Sequence, residues 1–457
     1  MRRFNGLIAI SVLMLSALVM MPAVAGGHVL QQVFATNTPR PQAINFATNT
    51  PAGPTATPTQ TSTATTSPTA TSSPTVTSSP TPTDTATPTA TSTPLPTDTP
   101  TPTPTQVGPV SYPEGFNPLT GLPYPNEEAM ARRNLIVKIS NFPPAVRPQT
   151  GVNLADVVYE VEAEGGVTRF AAIYRSNAPE RVGSVRSARL VDMELVMMYS
   201  ALLAYAGTSE PIQQLIMSSD WVFQAFSPLK GDNCENAGFC RDERRPGVDF
   251  EHTLFLDTTV LYDLATRRNV NTGMRARGFA FSEVPDPDGL PANDIYIDWW
   301  EQANARWQYQ PDTGRYTRFT DGVPHFDAGD GEQIWADNLV VIEVPHVRRP
   351  DLFPEGANYE SIGIELWDQG RAYVMRDGVV YQGFWRRQDD NPGSALQLLY
   401  GNNTPIMLKP GRTWVSVVRG LGFVTMAEEY TDMPATATAI ALTATPTIDP
   451  TALAADN

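Results

Sequence analysis

The sequence is poor in the residues that most often carry chemistry. Among 457 residues there are two cysteines and four histidines. Only three of the 32 basic residues are lysine, namely Lys138, Lys230 and Lys409. Two cysteines exclude a multi-disulfide scaffold and a four-cysteine zinc ribbon. No phosphate loop, dinucleotide fingerprint or Gly-x-Ser-x-Gly elbow occurs. Positive charge is also short, with 48 acidic residues and a net charge of −16. That balance argues against a nucleic-acid partner, which needs a basic face to displace counterions. It argues equally against docking on anionic lipid. Beyond the N-terminus no run of about 20 apolar residues exists, so the body is not a bundle of membrane helices.

The ends of the chain have simple compositions. Arg2 and Arg3 precede an apolar run from Leu7 to Met21, and Ala23-Val24-Ala25 follows. This reads as a secretory signal peptide over residues 1–25, cut before Gly26. An uncleaved anchor is the alternative, and it is the one membrane contact expected. Both place the remainder outside the cytoplasm, secreted or at the cell surface. Residues 26–110 are dominated by Thr, Pro, Ser and Ala, a composition that cannot bury a core and favours an extended, disordered linker. Residues 431–457 repeat the theme as a disordered tail. Cys234 and Cys240, close together in an exported chain, are expected to form a local disulfide; half of a metal site is the alternative.

The remaining residues mix strand and helix patterns. Leu135–Ile139 reads as a buried strand. Val157–Ala163 and Thr168–Tyr174 flank Gly165-Gly166, a two-residue hairpin signal that sets Glu162 opposite Arg169. Ser187–Ser200 reads as a helix, Ala201–Tyr205 as a strand, and Ser209 as the cap of a further helix. Trp221–Phe223 reads as a strand and Thr258–Arg268 as a helix. Later, Pro311–Gly314, Asp377-Gly378 and Pro410-Gly411 each sit between strand-like runs and predict three hairpins. The expected fold is α+β: an N-terminal mixed α/β-sheet domain over 111–284, then a smaller, mostly antiparallel β domain over 292–425.

Five blocks then carry a resemblance. They are Asn117–Leu122, Arg147–Gly151 leading to Ala155–Glu160, Glu164–Phe170, Gly183–Arg189, and Leu408–Trp414. Together, and in this order, they resemble the YerB-like lipoproteins over about residues 115–425. The resemblance implies an exported, envelope-associated protein with an α/β domain followed by a β-rich domain, and no defined activity. This chain departs from that pattern in three places. No cysteine follows the apolar run, Ser184 replaces a proline, and Glu251-His252-Thr253 stands where the family has Pro-His-Asn.

Candidate chemistry centres on arginine. Arg186 and Arg189, beside Ser187, stand at an expected helix start, where free N–H groups and guanidinium forks favour a carboxylate or phosphate. Internal pairing with Glu160, Glu164 or Asp156 is the competing reading. Arg169 and Ser209 lie nearby in the pattern. Glu160, Glu162 and Glu164 alternate on one strand, as solvated acids or as acid–base groups. His252 lacks a nucleophile with a local signature. His325, Asp327, Asp330 and His346 match no familiar ligand spacing, so no metal or cofactor is expected. Tryptophans gather after residue 298, mostly as core, with one or two expected to be exposed. The sequence thus points to a non-catalytic binding module for an anionic envelope polymer, wall glycan or peptide. The alternatives are a hydrolase or transferase acting on envelope polymers and a scaffold for another envelope protein.

Overall fold

The computed structural model describes residues 106–242, 247–273, 276–300, 302–353 and 359–427. The signal peptide, nearly all of the linker and the C-terminal tail lie outside the described residues.

The fold is mixed α/β, with few helices and many strands. Strands β1 (Leu135–Ser140), β2 (Val157–Ala163) and β3 (Val167–Tyr174) form the middle of an eleven-stranded sheet. β1 and β2 are buried at every position, as expected of strands covered on both faces. β3 is antiparallel to both neighbours. Leu202–Ala204 then adds in parallel to β1, and Ala225–Phe226 in parallel to it. On the other side of β2 the order continues through Thr413–Val418, Asn338–Glu343, Asp368–Arg376 and Val379–Arg387. With Leu290–Pro291 and Gln397–Leu399, which pair with Val379–Arg387, six strands from the second half of the chain extend the sheet begun by the first half.

Each face of this sheet has its own apolar layer. On one face the helices Leu190–Tyr199 and Glu210–Met217 bring Val191, Leu195, Tyr199, Ile212 and Ile216 against Ile136, Tyr159, Ile173, Val415 and Val417. On the other, the helix Thr258–Arg267 and a six-stranded sheet supply Leu261, Ile295, Ala305, Trp307 and Tyr316 against Val137, Val158, Phe170 and Trp414.

Several local expectations change. The β2–β3 turn holds three residues, Glu164, Gly165 and Gly166, with both glycines at positive φ. The register moves by one, setting Glu162 opposite Thr168 and Arg169 opposite Val161. In a strand pair, a one-residue slip sends a side chain to the other face. Arg169 and Glu162 therefore lie on opposite faces. The helix begins at Leu190, with Arg189 as its cap residue. Trp221–Phe223 is not a strand; Val222–Gln224 forms a 3-10 turn before the short strand Ala225–Phe226. The hairpins at Pro311–Gly314 and Asp377-Gly378 are present. The one at Pro410-Gly411 is not. Met407-Leu408 pairs with Ala280-Phe281, while Thr413–Val418 runs parallel to both β2 and Asn338–Glu343. Val415 and Val417 face one layer and Trp414 and Val418 the other, so this strand needs cover on both sides, which a central position provides.

Candidate functional site

One end of the sheet gathers most of the arginine set. Ser140, the last residue of β1, lies directly opposite Arg169 in β3, so the two share a face. The segment before the helix Leu190–Tyr199 crosses this end and is pinned to the loop after Leu202–Ala204. Ala206 N–H donates to the Arg186 carbonyl and Ala188 N–H to the Gly207 carbonyl, both at 2.9 Å. The Thr208 hydroxyl donates to the Ala188 carbonyl at 3.0 Å. The C-terminal ends of the parallel strands β1 and Leu202–Ala204 therefore open here, where α/β sheets often place ligands.

Charges fill this end unevenly. Lys138 Nζ meets Asp192 Oδ1 at 2.8 Å, and both side chains are wholly buried. Asp192 also accepts from the Arg189 N–H at 2.6 Å, capping the helix. Arg189 pairs with Glu164 from the β2–β3 turn. Arg186 Nη2 reaches Glu251 Oε1 at 2.9 Å. Arg169 Nη1 donates to the Ser187 carbonyl at 3.1 Å. Among the described residues Arg169 has no carboxylate within ion-pair range. Four cations (Lys138, Arg169, Arg186, Arg189) thus stand against three carboxylates (Asp192, Glu164, Glu251). Burial, then Arg189 and Arg186, pull the Arg169 pKa well below its ordinary value. Burial also lowers Lys138, against the pull of Asp192. Two polar atoms at this end, Arg186 Nε and Ser209 Oγ, are buried without a hydrogen-bond partner.

His252 packs into the same corner. Its Nδ1 lies 3.4 Å from Ser140 Oγ and its Nε2 3.3 Å from Glu251 Oε1. Burial and then Arg186 lower its pKa, which keeps the ring neutral. Ser140 is buried and donates its proton to the Phe142 carbonyl at 2.8 Å, so this hydroxyl is not presented as a nucleophile.

Of the residues singled out in the sequence, Arg169, Arg186, Ser187, Arg189, Glu164 and His252 come together. Ser209 starts the adjoining helix, but its side chain makes no cap hydrogen bond. The acidic strand is corrected: Glu160 and Glu162 are buried rather than solvated. Glu162 pairs with Arg419 at 2.7 and 3.0 Å. Glu160 faces the opposite side of the sheet from Arg169. There it accepts from Arg318 (2.8 Å), Thr168 (2.9 Å) and Trp414 Nε1 (3.3 Å). Arg318 is fully buried, with its guanidinium 5.4, 5.3 and 4.8 Å from the ring centroids of Phe170, Trp307 and Trp414. His325 Nδ1 accepts from Arg318 Nε (3.3 Å), while its Nε2 meets Gln149 Oε1 at 2.5 Å. The Gln149 amide nitrogen already donates to the Ser140 carbonyl. Gln149 Oε1 is therefore the acceptor, and His325 is the neutral tautomer with its proton on Nε2.

Sequence reasoning missed Lys138, Asp192 and this second network. Lys138 left a trace, as a lone lysine in an otherwise apolar strand. Arg318 left none, because the alternation Arg315-Tyr-Thr-Arg-Phe reads as an exposed hairpin strand. The aspartates and histidines after residue 324 disperse. Asp327 is saturated by the N–H groups of Gly151, Asn153 and Gly329 at 2.7–2.9 Å, and no group of three metal-type ligands gathers among the described residues. Cys234 and Cys240 are disulfide-bonded.

A mixed α/β sheet built from both halves of the chain, with a basic cluster at one end, defines the class. The chain belongs to the YerB-like family. Residues 119–272 match the N-terminal domain, and residues 295–415 the C-terminal domain, of a protein of unknown function, DUF3048. The "Putative lipoprotein YerB" of Bacillus subtilis (strain 168) is 26% identical over 316 residues, covering 66% of this chain and 86% of that protein. The crystal structure of the YerB protein from Bacillus subtilis shares the fold, with a TM-score of 0.57 and 23% identity over 68% of this chain and 99% of that one.

Proposed function

We propose that the protein is an exported, envelope-associated binding module for an anionic envelope ligand, a wall glycan or peptide bearing carboxylate or phosphate groups. The observation that carries this reading is Arg169. It is a half-buried guanidinium without a carboxylate partner among the described residues, flanked by Arg186 and Arg189 at the open end of the parallel strands. A guanidinium withdrawn from water with no carboxylate in contact, Glu164 and Asp192 acting on it only from farther off, favours an incoming anion. The signal-like N-terminus and the lipoprotein designation of the Bacillus subtilis relative support placement in the envelope. The hydroxyl within reach of His252 is turned away, which favours binding over turnover.

The test is co-sedimentation of the exported protein with purified envelope from the source cell, with mass spectrometry of the supernatant. Wild type should sediment without releasing fragments. Arg169→Gln, folded by circular dichroism, should lose at least about tenfold in affinity, roughly the 1.4 kcal/mol expected of one charge-assisted hydrogen bond. Equal sedimentation of the variant removes the site. Released fragments would instead favour a hydrolase.

A further inference from the structure

The chain has a second place lined by several arginines, sharing no residue with the cluster around Arg169. A cavity of about 380 Å³ is lined by Arg277, Arg386 and Arg387, with Gln388, Ser394 and Gln397 among its other walls. That volume lies at the small end of ligand sites. Arg386 and Arg387 end the long strand Val379–Arg387. Arg277 is held beside them by backbone pairing, its N–H donating to the Gly393 carbonyl (2.8 Å) and its carbonyl accepting from Ala395 (2.9 Å).

The charges here do not cancel. Arg277 Nη2 meets Asp389 at 2.9 Å, with both side chains about half exposed; such a pair holds its partners weakly. Arg387 is 4% exposed and pairs with Glu194 at 2.6 Å, but its Nε is buried without a partner. Among the described residues Arg386 donates to amide oxygens alone, Gln397 Oε1 at 3.1 and 3.4 Å and Asn403 Oδ1 at 3.4 Å. Among the described residues no carboxylate lies within ion-pair range of it. Neutral amide oxygens orient a guanidinium without neutralising it. In a chain of net charge −16, a walled cavity with surplus positive charge is a feature that needs a counter-ion.

We infer that this cavity binds a small anion, a phosphate monoester or a carboxylate. The guanidinium of Arg386 grips the anionic group, while Ser394 Oγ, accepting from Arg277 Nη2 at 3.1 Å, holds the second arginine at the cavity wall. Arginine suits this because its planar fork matches both oxyanions.

The experiment is isothermal titration of the full chain with glycerol 3-phosphate and, separately, with galacturonate. Saturable one-to-one binding of at least one probe is expected, and whichever binds identifies the anionic group. Arg386→Gln, which keeps hydrogen-bonding capacity and removes charge, should weaken binding at least tenfold with its urea midpoint unchanged. Arg386→Lys should fall between the two. Should Arg386→Gln disturb folding, Arg277→Gln at the exposed ion pair gives the same comparison. Failure of both probes to saturate, or wild-type affinity in the folded glutamine variant, overturns the inference.

Discussion

Arg318 and His325 show how burial changes what a side chain means. In the sequence Arg318 reads as part of a hairpin strand and His325 as part of a His/Asp group without a ligand pattern, yet each is buried among hydrogen-bonding partners from both halves of the chain. Losing either Arg318 or Glu160 alone would strand a charge in the core, a cost of roughly 3–5 kcal/mol. The histidines add a pH dependence. Burial and the adjacent Arg318 hold His325 well below the ordinary imidazole value of 6.5, and burial also lowers His252 and His346. The unfolded chain therefore takes up protons near pH 6.5 that the folded chain refuses. Stability is complete above that value and falls as pH drops through it, by at most about 1.4 kcal/mol per pH unit for each histidine. Urea unfolding at pH 7.5 and pH 6, away from the carboxylate range, should show this loss. His325→Gln should reduce it by at least about a third, since His325 is held furthest below the ordinary value, and an unchanged slope would mean that His325 titrates freely in the fold.

At the scale of elements, most strands and helices were legible because their apolar periodicity is strong. What failed was pairing. Gly165-Gly166 correctly marked a turn, but Glu164 joined it and the register slipped by one. Sequence alone does not set loop length, yet loop length decides which face Arg169 occupies. The Cys234–Cys240 link is an element-scale device too. It spans the helix Cys234–Ala237, which Asn233 also caps by accepting from Glu235 and Asn236 N–H groups at 3.0 Å. A loop with a sequence separation of 6 contributes about 2 kcal/mol by restricting the unfolded chain. Adding reductant should therefore lower the unfolding free energy by about that amount and keep a cooperative transition. Loss of cooperativity would show that the clip organises more than its own loop.

For the molecule as a whole, Thr413–Val418 is the decisive strand. It comes late in the chain but lies between β2 and Asn338–Glu343, so the sheet is complete only when the second half arrives. Residues 106–284 alone would leave one edge of β2 unpaired and the apolar side chains above it uncovered. That fragment should show no cooperative thermal transition, whereas residues 106–427 should unfold in one step seen identically by circular dichroism and tryptophan fluorescence. A fragment that melts cooperatively by itself would show that β2 does not need its late partner.

The sequence by itself determined the acidic character, the two cysteines available for a clip, the mixture of strand and helix, and the family blocks. These follow from composition and local periodicity, which act over a few residues. Only the tertiary structure decided that Glu160 and Arg169 look to opposite faces, that a late strand enters the middle of an early sheet, and that Arg277, Arg386 and Arg387 share one cavity. Each of these depends on pairing between residues far apart in sequence. Such pairing is set by which buried surfaces must cover one another, and no single segment carries that information.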